Sequence, residues 1–465
     1  MMVKVSTLAR VAIVNFASPM KMHSLTIFFI VVLFNFGRAN DVLPAASGDQ
    51  AILLHGGTLH PISAESITDG KLLMDRGRIV AIGRADEILD GEEAALKVSC
   101  SGSHVYPGLI SANGTLGLVE ISAVRATVDL REPGMINPSV RAESAVNPDS
   151  ELLPVARANG ILITLTVPQS GGLLSGRSAL LQLDGWTWED MVVKAPVGMH
   201  LYWPRMRYGS SASADAQKSQ RENWEERLKK LQTFFEEARA YQKAKLNRDV
   251  AFRSDVRLDA MMPVLEKRLR LFVHALGVVE IQRALQFVEE QDLEVVLVSG
   301  QDVARVTALL KAREIPVVLS TVQALPLRRW EPYDAASRVP AALLAAGVPF
   351  CIANGSGNSS GASNARNLPY IAAAAVGEGF TADDALRSIT LSPAEVLGVA
   401  DQLGSLQVGK LATLMITDGN PLEIPTNVQR AFVRGREIDL SSRHTQFYEK
   451  YQEKQRRMLK PSETP

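Results

Sequence analysis

The sequence predicts an α/β fold, a parallel sheet covered by helices on both faces and joined to a small antiparallel β unit. Two observations carry this. Between Leu271 and Ala353 short apolar, β-branched runs alternate with helical stretches, the pattern of strands buried on both faces. Before Val105 the chain instead offers short strands broken by glycines, the pattern of turns between antiparallel strands. A 465-residue chain with 46% hydrophobic and 22% charged residues has enough apolar surface to close a large core. Its 50 basic and 50 acidic residues cancel, which gives no electrostatic case for nucleic acid or an anionic membrane as partner.

The N-terminus reads as a targeting segment over residues 1–39. Met20-Lys21-Met22-His23 is a polar, basic start, Leu25 to Phe36 an apolar core, and Gly37-Arg38-Ala39 a small-residue cut site. About a dozen apolar residues fall short of a comfortable bilayer span. The expectation is export to the periplasm or medium, with no membrane attachment after cleavage. Met20 or Met22 is an alternative start. Cys100 and Cys351, widely separated, give no zinc-ligand spacing and read as buried thiols.

Strands are expected at Ala51–His55, Lys71–Asp75 and Arg78–Ile82, with turns at Gly56-Gly57, Asp75-Arg76-Gly77 and Gly91. Gly160 to Val167 and Ser178 to Leu183 follow as β-prone runs around the turn Ser170-Gly171-Gly172. From Asp215 to Phe252 Trp224, Leu228, Leu231, Phe234, Phe235 and Ala238 recur at three- and four-residue steps. With a further helix to Leu269, this segment of about 215–269 reads as a helical insertion over the sheet, a lid in one reading. The clearest repeats come next. Leu271–Ala275, Glu294–Val298, Pro316–Ser320 and Val348–Ala353 are strands, and Val278–Glu290, Val303–Lys311 and Ala335–Ala346 are the helices between them. Thr381 is a good N-cap for a later helix.

Two strings point to a family. One is Val105-Tyr106-Pro107-Gly108-Leu109-Ile110-Ser111-Ala112-Asn113-Gly114-Thr115. The other is Gly404-Ser405-Leu406-Gln407-Val408-Gly409-Lys410-Leu411-Ala412-Thr413-Leu414. They resemble the first barrel strand and the closing β segment of the amidohydrolase superfamily, in its branch related to imidazolonepropionase and Xaa-Pro dipeptidase. The resemblance implies a distorted TIM (β/α)8 barrel over 106–401. It also implies a small β-sandwich composed of 50–105 plus 402–440, and leaves 441–465 as a C-terminal helical tail. In place of the family's usual aspartate after alanine in the second string stands Thr413.

Barrel enzymes place their chemistry at the C-terminal ends of the strands. The resemblance implies a divalent metal there, zinc above all, that activates water and polarises a carbonyl. Carried over residue by residue, the first-strand histidine pair falls on Asn113 and Thr115, with Ser111 at the preceding aspartate. The next histidine falls on His274, the following one on Ser299 or Gly300, and the last-strand aspartate on Gly355. Of these five positions only His274 keeps a ligand side chain. It is therefore the candidate for both metal binding and catalysis, with a core imidazole as the alternative. The other histidines, His200 among them, read as lying outside the barrel strands, which leaves no compensating cluster.

Asp129 and Glu132, on the loop after the first strand, are candidates for acid–base work, with ion pairs that pin the loop as the alternative. Asn113, Thr115, Arg125, Ser299 and Asn354 are candidates for substrate binding. Two functions stay open at this stage. The chain is a hydrolase of carbon–nitrogen bonds in a small molecule, a non-peptide or cyclic amide or a dipeptide. Alternatively it is a catalytically inactive or metal-independent relative that binds a small ligand or an exported partner, with homo-oligomerisation as a further expectation.

Overall fold

The computed structural model describes residues 42–46, 48, 50–169, 171–205, 213–247, 253–354, 359–377 and 379–459. The expected targeting segment and Gly355 lie outside the described residues. Strands β1 (Ile52–Leu59), β2 (Ile67–Asp75), β3 (Arg78–Arg84), β4 (Leu96–Ser99) and β5 (His104–Pro107) lie ahead of the barrel. β14 (Leu414–Thr417), β15 (Val428–Val433) and β16 (Arg436–Ile438) follow it. Hydrogen bonds run through all of them as one eight-stranded sheet, in the order β16-β15-β14-β5-β1-β2-β3 with β4 paired to β1. The two ends of the chain meet where β14 pairs antiparallel with β5, Met415 opposite Tyr106 and Ile416 opposite Val105. Leu54, Leu72, Val105, Leu414 and Phe432 close a core between the two halves. Thr413 is structural: its hydroxyl accepts the amide of Arg434 at 3.2 Å and its carbonyl accepts that of Gly108 at 3.0 Å, tying the barrel's entry to the sheet.

The second sheet runs in chain order. Its strands are β6 (Leu109–Gly114), β7 (Ile161–Thr166), β8 (Leu174–Gln182), β9 (Val192–Tyr202), β10 (Arg270–His274), β11 (Val295–Ser299), β12 (Val317–Leu319) and β13 (Phe350–Ile352). It is a nearly closed, distorted TIM barrel. The distortion lies at β8, which is antiparallel to both β7 and β9, while β9 through β13 pair parallel. Ile110, Ile163, Leu180, Val197, Phe272, Val296, Val318 and Cys351 fill one face together with Ala394, Val396, Leu397 and Leu403. These last residues close the N-terminal end of the barrel, where Arg270 and Lys194 bond the carbonyls of Val396 and Leu397. The opposite end, at the strands' C-termini, is left for the site. Gly198 is required by packing, because a Cβ there would stand 2.2 Å from the Phe272 ring.

β9 was not expected from the sequence. It alternates Val197, Met199 and Leu201 with Gly198, His200 and Tyr202, and pairs with β10 so that His200 faces Phe272 and Tyr202 faces His274. The helical stretch read as an insertion, Ala214–Leu246 and Val256–Leu265, connects β9 to β10. It thus occupies the place of a crossover between two parallel strands. Trp224, Leu231, Phe234, Phe235, Ala238 and Tyr241 are buried along the longer helix, with Phe235 edge-on to Phe287 at 5.2 Å. The tail is the helix Arg443–Leu459, on which no residue is buried. Among the described residues no helix is long and apolar enough to cross a membrane.

Candidate functional site

β9 and β10 end side by side, and their register brings together residues 74 positions apart. His200 Nδ1 and His274 Nε2 are 2.9 Å apart, so one imidazole donates to the other. The Tyr202 ring stacks on His274 with centroids 4.0 Å apart and planes 15° from parallel. The Tyr202 hydroxyl donates to the carbonyl of Pro168 at 3.0 Å. The backbone amide of Trp203 donates to the carbonyl of His274 at 3.0 Å. The ring pair is thereby held by stacking, by a side-chain hydrogen bond and by the backbone.

Burial holds both imidazoles toward the neutral form. Burial, and then the Arg205 guanidinium, push His274 down to about 3. Burial and the neighbouring His274 push His200 well below its ordinary value. His200 Nε2 has no hydrogen-bond partner among the described residues. A buried polar atom without a partner costs about 1–3 kcal/mol, an expense that a ligand or a bound water would relieve.

Pro168 also belongs to the wall of a cleft of about 340 Å³, lined on its other sides by Asp129, Arg131, Glu132, Ser139 and Arg141. The structure therefore brings the two candidate carboxylates, Asp129 and Glu132, to one cavity. Both are exposed there. Arg141 is bonded instead to the buried Glu143, at 2.7 Å.

Arg125 does not line this cleft. It is exposed and donates to the carbonyl of Val128. Asn113 and Thr115 lie at and just beyond the end of β6 and are buried. Ser299 ends β11, is fully buried and, like Thr115, has a hydroxyl without a partner among the described residues. Asn354 is buried after β13 and donates to the carbonyl of Gly361 at 3.1 Å. Sequence reasoning missed His200 and Tyr202. The period-two alternation from Val197 to Tyr202 was the signal for both.

A family model of the amidohydrolases matches residues 190–436, more than half of the chain. This protein belongs to the amidohydrolase family. Solved structures share its fold. An amidohydrolase from Thermotoga maritima MSB8 is 23% identical, with a TM-score of 0.72 over 83% of this chain and 99% of that one. A prolidase complexed with N-methylphosphonate-L-proline is 16% identical, with a TM-score of 0.51 over 84% and 100%. Molinate hydrolase is 17% identical, with a TM-score of 0.51 over 85% and 96%. No curated protein matches the chain.

Amidohydrolases are hydrolases that generally use divalent metals such as zinc. The described residues of this member do not fit such a metal. Among them no three His, Cys, Asp or Glu side chains come together in a group that could hold an ion. A zinc site takes about four donors at roughly 2.0–2.3 Å. Here His274 spends Nε2 on His200, whose own Nδ1 is spent in return.

Proposed function

We propose that this amidohydrolase binds a small molecule at the C-terminal end of its barrel without the family's metal. The observation that carries this reading is the direct His200–His274 hydrogen bond. It uses the one retained ligand position of the family pattern to orient a neutral imidazole rather than to coordinate an ion. Neighbouring groups suit hydrogen bonding to such a ligand. The hydroxyls of Thr115 and Ser299 are buried at strand ends without partners among the described residues, and the cleft beyond Pro168 offers both carboxylates and guanidinium groups.

Family membership favours a second reading, hydrolysis of a carbon–nitrogen bond in a small cyclic amide, non-peptide amide or dipeptide. In that reading Asp129 or Glu132 serves as the base, and the His274–His200 pair binds and orients the carbonyl. Since a fold does not by itself establish an activity, the deciding measurement is chemical. Inductively coupled plasma mass spectrometry of the purified, dialysed protein is expected to find well under one equivalent of zinc, manganese or iron. One equivalent or more, removed by chelator together with hydrolysis of an amide panel, would overturn the metal-independent reading. Export on the apolar run Leu25–Phe36 belongs to the same proposal, and N-terminal sequencing of the mature chain checks it by a start near residue 40.

A further inference from the structure

We propose that the tail helix Arg443–Leu459 is a membrane-surface anchor. It lies along a bilayer of anionic phospholipid, with an aromatic stripe at the boundary of the acyl chains and a basic edge on the headgroups.

The spacing of its apolar residues comes first. At 3.6 residues per turn, Phe447, Met458, Tyr451, Tyr448 and Leu459 fall on one arc of about 120°, shared only with His444 and Gln455. No Asp, Glu, Lys or Arg interrupts that arc, and Glu449 and Glu453 both lie on the opposite side of the helix. The stripe is nevertheless left in water. Its five apolar side chains are exposed, from 43% at Phe447 to 81% at Leu459, and the helix buries no residue. A contiguous apolar surface of this kind marks a place that something covers. The helix is also fixed at its start, where the hydroxyl of buried Ser442 accepts the Thr445 amide at 3.4 Å and Arg366 donates to His444 Nδ1 at 3.3 Å.

Charge then selects the partner. Lys454, Arg443, Lys450 and Arg457 line one edge of the stripe. Arg457 is paired with Glu453 at 2.9 Å, as is Arg456 at 3.0 Å. Arg443, Lys450 and Lys454 enter no ion pair among the described residues, and the Arg443 guanidinium lies over the Phe447 ring, 5.4 Å from its centroid. The expectation of no membrane contact followed from the cancelling charges of the whole chain. Exposed charges act over only about 8 Å at physiological salt, so the balance on the helix itself decides, and there five basic residues stand against two acidic ones.

A second copy of the chain suits the stripe less well. Two such helices packed antiparallel about a two-fold axis set each basic edge against the other, and packed parallel set it against Thr445, Gln452 and Arg456. Neither arrangement meets the cations with a carboxylate. A bilayer surface meets them with phosphates along the whole edge, and its interfacial layer accommodates rings with polar tips such as Tyr448 and Tyr451. A helix of about 25 Å with one strongly charged face lies in that layer rather than across the membrane.

The test is flotation of the mature protein with two kinds of vesicle, phosphatidylcholine alone and an equal mixture of phosphatidylcholine and phosphatidylglycerol. The wild type is expected to bind the mixed vesicles at least about tenfold more tightly than the neutral ones, and to lose that preference at high salt. Lys450→Gln combined with Lys454→Gln should weaken binding to the mixed vesicles about tenfold or more. Tyr451→Glu, and a chain ending at Ser442, should stay in solution with an unchanged thermal transition. A wild type that stays in solution with both vesicles would overturn the anchor, and so would equal binding to the two. Binding that survives truncation at Ser442 would move the contact to another surface and overturn it as well. Absence of vesicle binding together with a dimer that Tyr451→Glu dissociates in analytical ultracentrifugation would give the stripe to a second copy instead.

Discussion

A histidine acquires a role here from what its strand places next to it. His274 stood out in the sequence as the one candidate ligand of the family pattern, and the structure places His200 and Tyr202 against it through strand register. A second pair follows the same rule in the other sheet. His60 Nε2 lies 3.0 Å from His104 Nδ1, the Ser66 hydroxyl is 2.9 Å from His60 Nδ1, and Tyr106 stacks on His60 at 4.2 Å. Burial first, and then His104, push His60 down to about 4, against a partial lift from Asp383. The unfolded chain therefore binds more protons than the folded one between about pH 6.5 and 4. The stability this group contributes is complete above pH 6.5 and is lost as the pH falls toward 4. His60→Gln is expected to remove that slope, so that between pH 7.5 and 5 its unfolding free energy falls less than the wild type's, by on the order of 1 kcal/mol after allowance for solvent screening. Chemical denaturation at the two pH values measures it, and equal slopes in both proteins would reject it.

At the level of elements, the long helix Ala214–Leu246 shows how charge composition misleads. Its many Glu and Lys residues suggest a segment apart from the core, yet Leu231, Phe235 and Ala238 are fully enclosed. An amphipathic helix of 33 residues draws its stability from one apolar stripe packed on the barrel, and its charged faces say only that the rest meets water. Phe235→Ala should therefore cost about 3–5 kcal/mol, as for a large aromatic ring removed from a packed core, and calorimetry would show it as a drop in Tm. A loss below about 1 kcal/mol would mean that the helix is a lid lying loosely on the barrel. The helix Arg443–Leu459 makes the contrast. With no buried residue, its deletion is expected to leave Tm within about 2 °C of the full chain, since surface changes away from packed features usually stay within about 0.5 kcal/mol.

Across the whole molecule, the division between what was legible and what was hidden follows the range of the interactions. Strands such as Leu271–Ala275 and Glu294–Val298, and the helix Val278–Glu290, were readable because each is encoded by local apolar periodicity. The union of the two chain ends was readable from the strings around Pro107-Gly108 and Gly404–Lys410. The antiparallel excursion of β8 was not, and β9 was readable only in its second half, because Lys194, Pro196 and Gly198 interrupt the run ahead of the alternation that ends at Tyr202. Sequence alone determined the α/β class and the amidohydrolase ancestry, since these are properties of residue identity and short spacing. Only the tertiary structure decided that His200 meets His274 and that Asp129 and Glu132 share a cleft with Pro168. Those contacts join residues tens of positions apart, and a single-residue slip between β9 and β10 would turn His200 to the opposite face of the barrel.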